Sequence, residues 1–173
     1  MGTVGHLDTD AAARCLGDDY VLLLRMHSNI RGGSNIRSGR LDSPGGASVL
    51  DVTGYPDIAS LLLITDILIT DYSSVMFDFA LTGRPMLFFT YDLERYRDAL
   101  RGFCLDFEAE APGPLLSTSA EVIEALRDPG GLSAAGYREA YHAFAAKYCA
   151  LDDGGAAGRV VDRLFRGPSG PGR

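Results

Sequence analysis

Apolar residues fall along this chain in two rhythms. Short, nearly continuous apolar runs occur at Tyr20–Arg25 (YVLLLR), Asp66–Thr70 (DILIT) and Pro85–Thr90 (PMLFFT), and Ser48–Val52 is a fourth segment of strand length. Runs this short suit strands covered on both faces, as in a parallel sheet. The second rhythm is helical. Asp8–Gly17 is Ala-rich, with Asp8 or Asp10 as N-cap. Pro56–Ile64 places Pro56 near a first helical position. Ser73–Leu81 ends at Gly83, a C-terminal stop signal. Asp92–Leu100 predicts a short polar helix, Ala134–Cys149 and Gly158–Phe165 two more. Thr118 and Glu121 form a capping-box pattern ahead of a helix to about Arg127. Strands alternating with helices predict an α/β fold around a mostly parallel sheet.

The remaining segments lack a period. Met1–Leu7 has none, and Ser28–Ala47 reads as a polar loop. It carries a four-residue echo, SNIR at 28–31 and again at 34–37, too short for a repeat architecture. Gly167–Arg173 reads as a flexible tail. Four strands are few for a free-standing doubly wound sheet, so a further piece is expected upstream of residue 1.

Composition narrows the function classes. The chain has 173 residues, 46% hydrophobic and 23% charged. These values suit a globular domain rather than a disordered or fibrous chain. Lys+Arg is 16 against Asp+Glu 23, a net charge of −7. An acidic chain is a poor non-specific nucleic-acid binder, so no nucleic-acid partner is expected. Lys147 is the only lysine. A phosphate held by a basic side chain would therefore be held by arginine. Cys15, Cys104 and Cys149 are widely spaced and odd in number. They predict reduced thiols in a cytosolic protein rather than a disulfide frame or a zinc site. No apolar run is long enough to cross a bilayer, and no secretory signal pattern opens the chain.

Candidate chemistry gathers at strand ends, where open parallel sheets bind ligands. The first run ends in Arg25-Met26-His27-Ser28. The third ends in Thr70-Asp71-Tyr72-Ser73-Ser74 and opens a helix. A helix start offers free backbone N–H groups and a positive dipole end, and two serines add hydroxyl donors, which together suit a phosphate. Ser73 also has a plain reading, an N-cap that serves stability alone. His27 reads either as an acid/base or cation beside phosphate, or as a structural histidine. A histidine and a serine pair on one sheet edge could grip the two phosphates of a nucleotide diphosphate. GxGxxG, GxxxxGK[ST] and GxSxG are absent, which argues against dinucleotide cofactors, P-loop chemistry and α/β-hydrolases. No His/Cys/Asp group has metal-ligand spacing, and no cofactor is expected. Arg95, Arg97 and Arg101 read by default as a solvated helix face, and Asp152-Asp153-Gly154 as a turn.

Several stretches resemble one family. They are LLLRMHSN (22–29), VLDVTGYPDIASLLLITDILITDYSSVMFDFALTGRPMLFF (49–89), YRDALRGFCLDFEAEAPGPLLST (96–118) and, more weakly, FAAKYCALDDGGAAGRVVDRLF (144–165). RMH, PDI, ITDYSSVMFD, RP, and RGF with APGP, in that order and spacing, are specific where DYSS alone is not. The chain resembles the C-terminal half of CDP-glycerol glycerophosphotransferases, the teichoic-acid primases and polymerases.

The resemblance implies two Rossmann-like domains facing a cleft, the GT-B architecture. Residues 1–166 would be a partial, nucleotide-donor-binding α/β domain. The implied reaction moves glycerol phosphate from CDP-glycerol to a hydroxyl of a lipid-linked glycerophosphate acceptor and releases CMP. It implies a bacterial cell-wall enzyme, peripheral at the cytoplasmic face of the membrane. By resemblance His27, Ser73 and Ser74 contact the donor phosphates, with His27 as the catalytic residue. Arg25, Thr70, Asp71, Arg101 and Asp153 join the substrate-binding set, and Asp71 shapes the turn. The family's second essential histidine, which serves the acceptor, lies in an N-terminal domain. The expectation is therefore a donor side without its acceptor side, starting after the first strand of its domain. Glycerol and ribitol donors, and primase and polymerase, remain open. Two alternatives stand beside this reading: a GT-B glycosyltransferase using a UDP- or GDP-sugar, and an inactive nucleotide-binding remnant.

Overall fold

The computed structural model describes residues 3–4, 7–26, 39–41, 48–96, 105–128, 131 and 135–166. The chain opens with β1 (Thr3–Val4) and β2 (Leu7–Asp8), an antiparallel pair. This pair is a departure from the patternless start read from sequence. Helix α1 (Thr9–Leu16) follows, and Asp8 caps it by accepting from the Ala11 N–H at 3.0 Å. Gly17 ends it at φ 62°, a backbone angle that favours glycine.

Strands β3 (Val21–Leu24) and β5 (Ser48–Asp51) pair in parallel, and β4 (Gly39–Leu41) lies antiparallel on the other side of β5. Helix α2 (Ile58–Ile64) is capped by Asp57, so Pro56 lies before the cap rather than inside the helix. Next come β6 (Leu68–Thr70), α3 (Val75–Ala80), β7 (Met86–Phe89) and a three-residue turn of helix, α4 (Leu93–Arg95). The helix expected over 92–100 is thus short, and 97–100 lie outside the described residues. Helix α5 (Phe107–Glu110) and strand β8 (Leu115–Leu116) precede α6 (Ser119–Arg127) and α7 (Ala135–Tyr148). Helix α8 (Ala156–Val161) continues as a wider π-type turn over Asp162–Arg166. Strands β6, β7 and β8 are parallel, with β7 in the middle.

Strand β7 organises the interior. All four of its residues are buried, and they alternate between two apolar clusters, as the two-residue period of a strand requires. Leu87 and Phe89 pack with Leu22, Leu24, Val49 and residues of α1 and α6. Met86 and Phe88 pack on the other face with Phe79, Phe107 and Phe144. Fully burying each such side chain contributes roughly 1.5–3 kcal/mol. Both-face cover was expected of Tyr20–Arg25 too, but there Leu22 and Leu24 are buried while Val21 is 53% exposed. Leu23, on the same face as Val21, is half-buried.

Two signature motifs, Arg84-Pro85 and Ala111-Pro112-Gly113-Pro114, have structural work. Arg84 donates from Nη1 to the carbonyls of Leu63 (2.8 Å) and Thr65 (2.7 Å), closing the end of α2, where carbonyls lack helical partners. In Ala111-Pro112-Gly113-Pro114, a Cβ on Gly113 would stand 2.1 Å from the Met86 carbonyl oxygen. Only glycine lets this segment approach β7 closely enough for Pro114 to accept from the Phe88 N–H at 3.0 Å.

Candidate functional site

Thr70, Asp71, Ser73 and Ser74 form one turn at the C-terminal end of β6. Thr70 is half-buried and pairs with Phe88 of β7. Asp71 and Ser74 are exposed, and Ser73 is half-buried. The Ser73 hydroxyl accepts from the Val75 N–H at a long 3.3 Å, and its carbonyl accepts from Met76 at 3.3 Å. Ser74 occupies the N-cap position of α3 and makes no side-chain capping bond. The helix runs for six residues rather than the nine expected over 73–81. Its start is therefore a compact turn that carries two hydroxyls.

The turn is held from below by Tyr72, a residue to which the sequence analysis gave no role. Its phenol donates to Asp92 Oδ1 at 3.1 Å, and its ring stacks on Tyr96 with centroids 4.3 Å apart. Burial, and then Asp92, pushes the Tyr72 phenol well above its ordinary range, so it stays a protonated donor. Tyr91, at the end of β7, is 46% exposed. Burial and then the nearby Asp92 and Asp71 carboxylates push its phenol upward, while Arg95 pulls the other way. The edge over β6 and β7 thus carries two carboxylates and an arginine beside the serines. A diphosphate seated there needs further positive charge.

Arg25 follows β3 at the neighbouring strand end. Its Nη1 donates to the carbonyls of Tyr55 (2.6 Å) and Val52 (3.3 Å) in the loop after β5. Thr53 Oγ1 accepts from the Met26 N–H at 3.0 Å, and Asp51 Oδ1 accepts from the Thr53 N–H at 2.8 Å. The chain leading toward His27 is thereby fastened to the end of β5. The Arg25 partners are neutral carbonyls, so these bonds leave its positive charge uncancelled. His27 and Arg101 lie outside the described residues.

Asp153 sits in the loop between α7 and α8. Its two carboxylate oxygens accept from Arg159 Nη1 at 2.7 and 2.8 Å, and Oδ1 also accepts from the Gly155 N–H at 2.8 Å. The Arg159 guanidinium holds its carboxyl below the usual range. In this arrangement Asp153 shapes its own loop, and Gly154 takes a positive φ of 78° there, in keeping with the turn read from sequence. The loop is anchored to α3: Cys149 Sγ lies 3.5 Å from the Phe77 carbonyl, which accepts from it, and the Asp152 N–H donates to Cys149 at 3.0 Å. The structure therefore unites Thr70, Asp71, Ser73 and Ser74, brings the Asp153 loop onto the same short helix, and ties Arg25 to the β5 loop. Tyr72, Asp92 and Thr53 were missed. Their partners lie 20 and 27 residues away, so no local spacing announces them. Among the described residues no cluster of His, Cys, Asp and Glu has the arrangement of a metal site.

Comparison with known proteins agrees with this architecture. A "Teichoic acid glycerol-phosphate transferase" of Staphylococcus aureus (strain NCTC 8325 / PS 47) is 42% identical over 161 residues, 93% of this chain and 39% of the relative. A "Teichoic acid poly(glycerol phosphate) polymerase" of Bacillus subtilis (strain 168) is 41% identical over 162 residues, 92% of this chain and 20% of that protein. The chain thus spans two fifths or less of these relatives. A solved structure of the Wall Teichoic Acid Polymerase TagF, a variant soaked with CDPG, superposes with a TM-score of 0.77 at 36% identity, over 93% of this chain and 38% of that one. Residues 2–166 match the family described as CDP-Glycerol:Poly(glycerophosphate) glycerophosphotransferase, and the chain belongs to that family.

Proposed function

We propose that residues 1–166 form the donor-binding side of a GT-B type CDP-glycerol glycerophosphotransferase. The whole enzyme transfers glycerol phosphate from CDP-glycerol to a hydroxyl of a lipid-linked, teichoic-acid type acceptor. The acceptor oxygen forms a bond to the glycerol-bearing phosphorus, the bond from that phosphorus to the CMP oxygen breaks, and the hydroxyl proton passes to a base on the acceptor side. Such a transfer depends on positioning and on stabilising the charge of the leaving group. Ser73 and Ser74 donate hydrogen bonds to the donor phosphates. His27 and Arg101 supply positive charge, and Arg25 adds to it from the adjoining strand end. Thr70 and Asp71 shape the turn, and Asp153 orders the loop lying against α3.

The observation that carries this reading is the β6–α3 turn, which sets two adjacent serines at the C-terminal edge of a parallel sheet and leaves Ser74 out of helix capping. The likeness to a polymerase soaked with CDPG, which we read as CDP-glycerol, supports the choice of donor. The acceptor site and its base belong to the part of the relatives that this chain does not match, as an N-terminal domain or a partner. Consistent with a face made to be covered, Leu151, Val160, Val161, Leu164 and Phe165 around α8 are 46–81% exposed. No helix among the described residues is long and apolar enough to cross a membrane. We place the enzyme as a peripheral protein at the inner face of the cell membrane, attached through that other part.

Calorimetric titration of the folded chain tests the donor assignment, with CDP-glycerol, CMP, UDP-glucose and GDP-mannose as ligands. Selective CDP-glycerol binding is expected. Preference for a sugar nucleotide would replace the donor assignment, and no binding by a folded sample would overturn donor binding by this chain alone.

A further inference from the structure

We infer that Tyr72 is a positioning residue for donor binding: gripped at both ends of α4, it fixes the turn that presents Ser73 and Ser74. This rests on the donor-binding reading above. Tyr72 stands between exposed Asp71 and Ser73, yet its ring turns inward. It stacks on Tyr96, just past the last residue of α4, and meets the ring of Phe107 edge-on at 5.6 Å. Phe107 is 2% exposed and itself lies edge-on to Phe88 of β7 at 5.3 Å. The ring is therefore referenced to the central strand. Its phenol meets Asp92, the residue that opens α4 and that makes no side-chain capping bond of its own.

A ring stack fixes a plane and leaves sliding and rotation within it. The hydrogen bond to a carboxylate removes that freedom, and such charged bonds are among the stronger ones. With the ring locked, the backbone on either side of Tyr72 is locked too. That backbone bears the Ser73 carbonyl, which accepts from Met76, and the Ser74 carbonyl, which accepts from Phe77 at 3.1 Å. Burial, and then Asp92, push the phenol further from ionisation, so it serves as the donor of this pair.

Amide hydrogen exchange of the full chain, with Tyr72→Phe, Asp92→Ala and the double variant, tests this. Tyr72→Phe keeps the ring stack and removes only the donor. The expected result is exchange about tenfold faster at Val75, Met76 and Phe77 in each single variant, with the β7 amides Leu87 and Phe88 little changed. The double variant should be no faster than either single one, because the two groups act as one pair. Asp92→Asn retains a neutral acceptor oxygen and should fall between the parent and Asp92→Ala. CDP-glycerol affinity should fall by a similar factor in Tyr72→Phe and Asp92→Ala. Unchanged exchange at 75–77, or additive effects in the double variant, would overturn the grip. Faster exchange with unchanged affinity would overturn its part in donor binding. If the parent chain binds no CDP-glycerol, the donor reading fails on its own, while the exchange data still decide whether Tyr72 holds the turn.

Discussion

Helices α3 and α6 start beyond the strands that flank β7, and both starts are built from hydroxyl residues. They use them differently. At α6, Thr118 Oγ1 accepts from the Glu121 N–H at 3.2 Å, and Glu121 Oε2 accepts from the Thr118 and Ser117 N–H groups at 3.2 and 2.6 Å. The next serine, Ser119, accepts from the Asp8 N–H at 3.0 Å and so ties α6 to the start of α1. At α3, the N-cap Ser74 makes no side-chain capping bond, and Ser73 accepts a long bond from Val75. The cap residue of the neighbouring α4, Asp92, is turned to Tyr72 instead. Serine and threonine at a helix start are ambiguous by residue type. Geometry separates a start closed on itself from one left open toward the sheet edge.

The strongest test of that separation replaces both open hydroxyls. In Ser73→Ala/Ser74→Ala, each lost hydrogen bond to a phosphate should cost about 1.5–3 kcal/mol. CDP-glycerol affinity should fall by about a hundredfold or more, with little change in the thermal midpoint. Titration calorimetry and thermal unfolding on the same samples read both quantities. A protein that binds as before and melts lower would put α3 in the same class as α6.

What sequence could show divides along the same line between local and distant partners. The capping box of Thr118 and Glu121 and the Asp8 cap of α1 were legible because both partners lie within one turn of helix. The alternation of strands and helices showed the α/β class. The two-residue strand β8 was not legible, because Leu115 and Leu116 become a strand only against Phe88 and Phe89. The pairing of β1 with β2 and of β4 with β5 was missed for similar reasons: two or three residues show no period. The exposure of Val21 in β3 was also hidden, since YVLLLR is as apolar as a strand covered twice. The serines of the β6–α3 turn read from sequence as a candidate anion site, and the family resemblance assigned them to the donor phosphates. The bond from Arg25 to Tyr55 spans 30 residues, and no spacing rule reaches that far.

The closed start makes the reciprocal prediction. Thr118→Ala removes an N-cap and should cost about 1 kcal/mol of stability, measured by urea unfolding. It should leave CDP-glycerol affinity within about twofold of the parent, since these bonds are internal to α6 and its junction. A large affinity loss would mean that the α6 start also faces the donor, and the contrast between the two helices would dissolve.

Helix α2 offers a third kind of start, closed by a carboxylate. Asp57 Oδ1 accepts from the Ala59 N–H at 3.0 Å, and Oδ2 accepts from the Ser60 hydroxyl. The Ser60 bond holds the Asp57 carboxyl below its ordinary value; desolvation, the next influence, pushes it upward, and the backbone bonds from Ala59 and Ser60 add to the lowering. A carboxyl whose folded pKa is depressed binds its proton more weakly in the folded state. Its stabilising contribution is complete above the unfolded value, about 3.9, and is lost as pH falls through the lower folded value. Asp57→Asn can still accept the Ala59 bond and cannot titrate. It should therefore be slightly less stable than the parent near pH 7, lose less stability as pH falls below about 4, and converge with the parent in acid, read by urea midpoints across that range. The effect is small because Asp57 is exposed and solvent competes for its bonds. An unaltered acid slope would mean that the carboxylate does not close α2 in solution, and α2 would then join α3 as an open start.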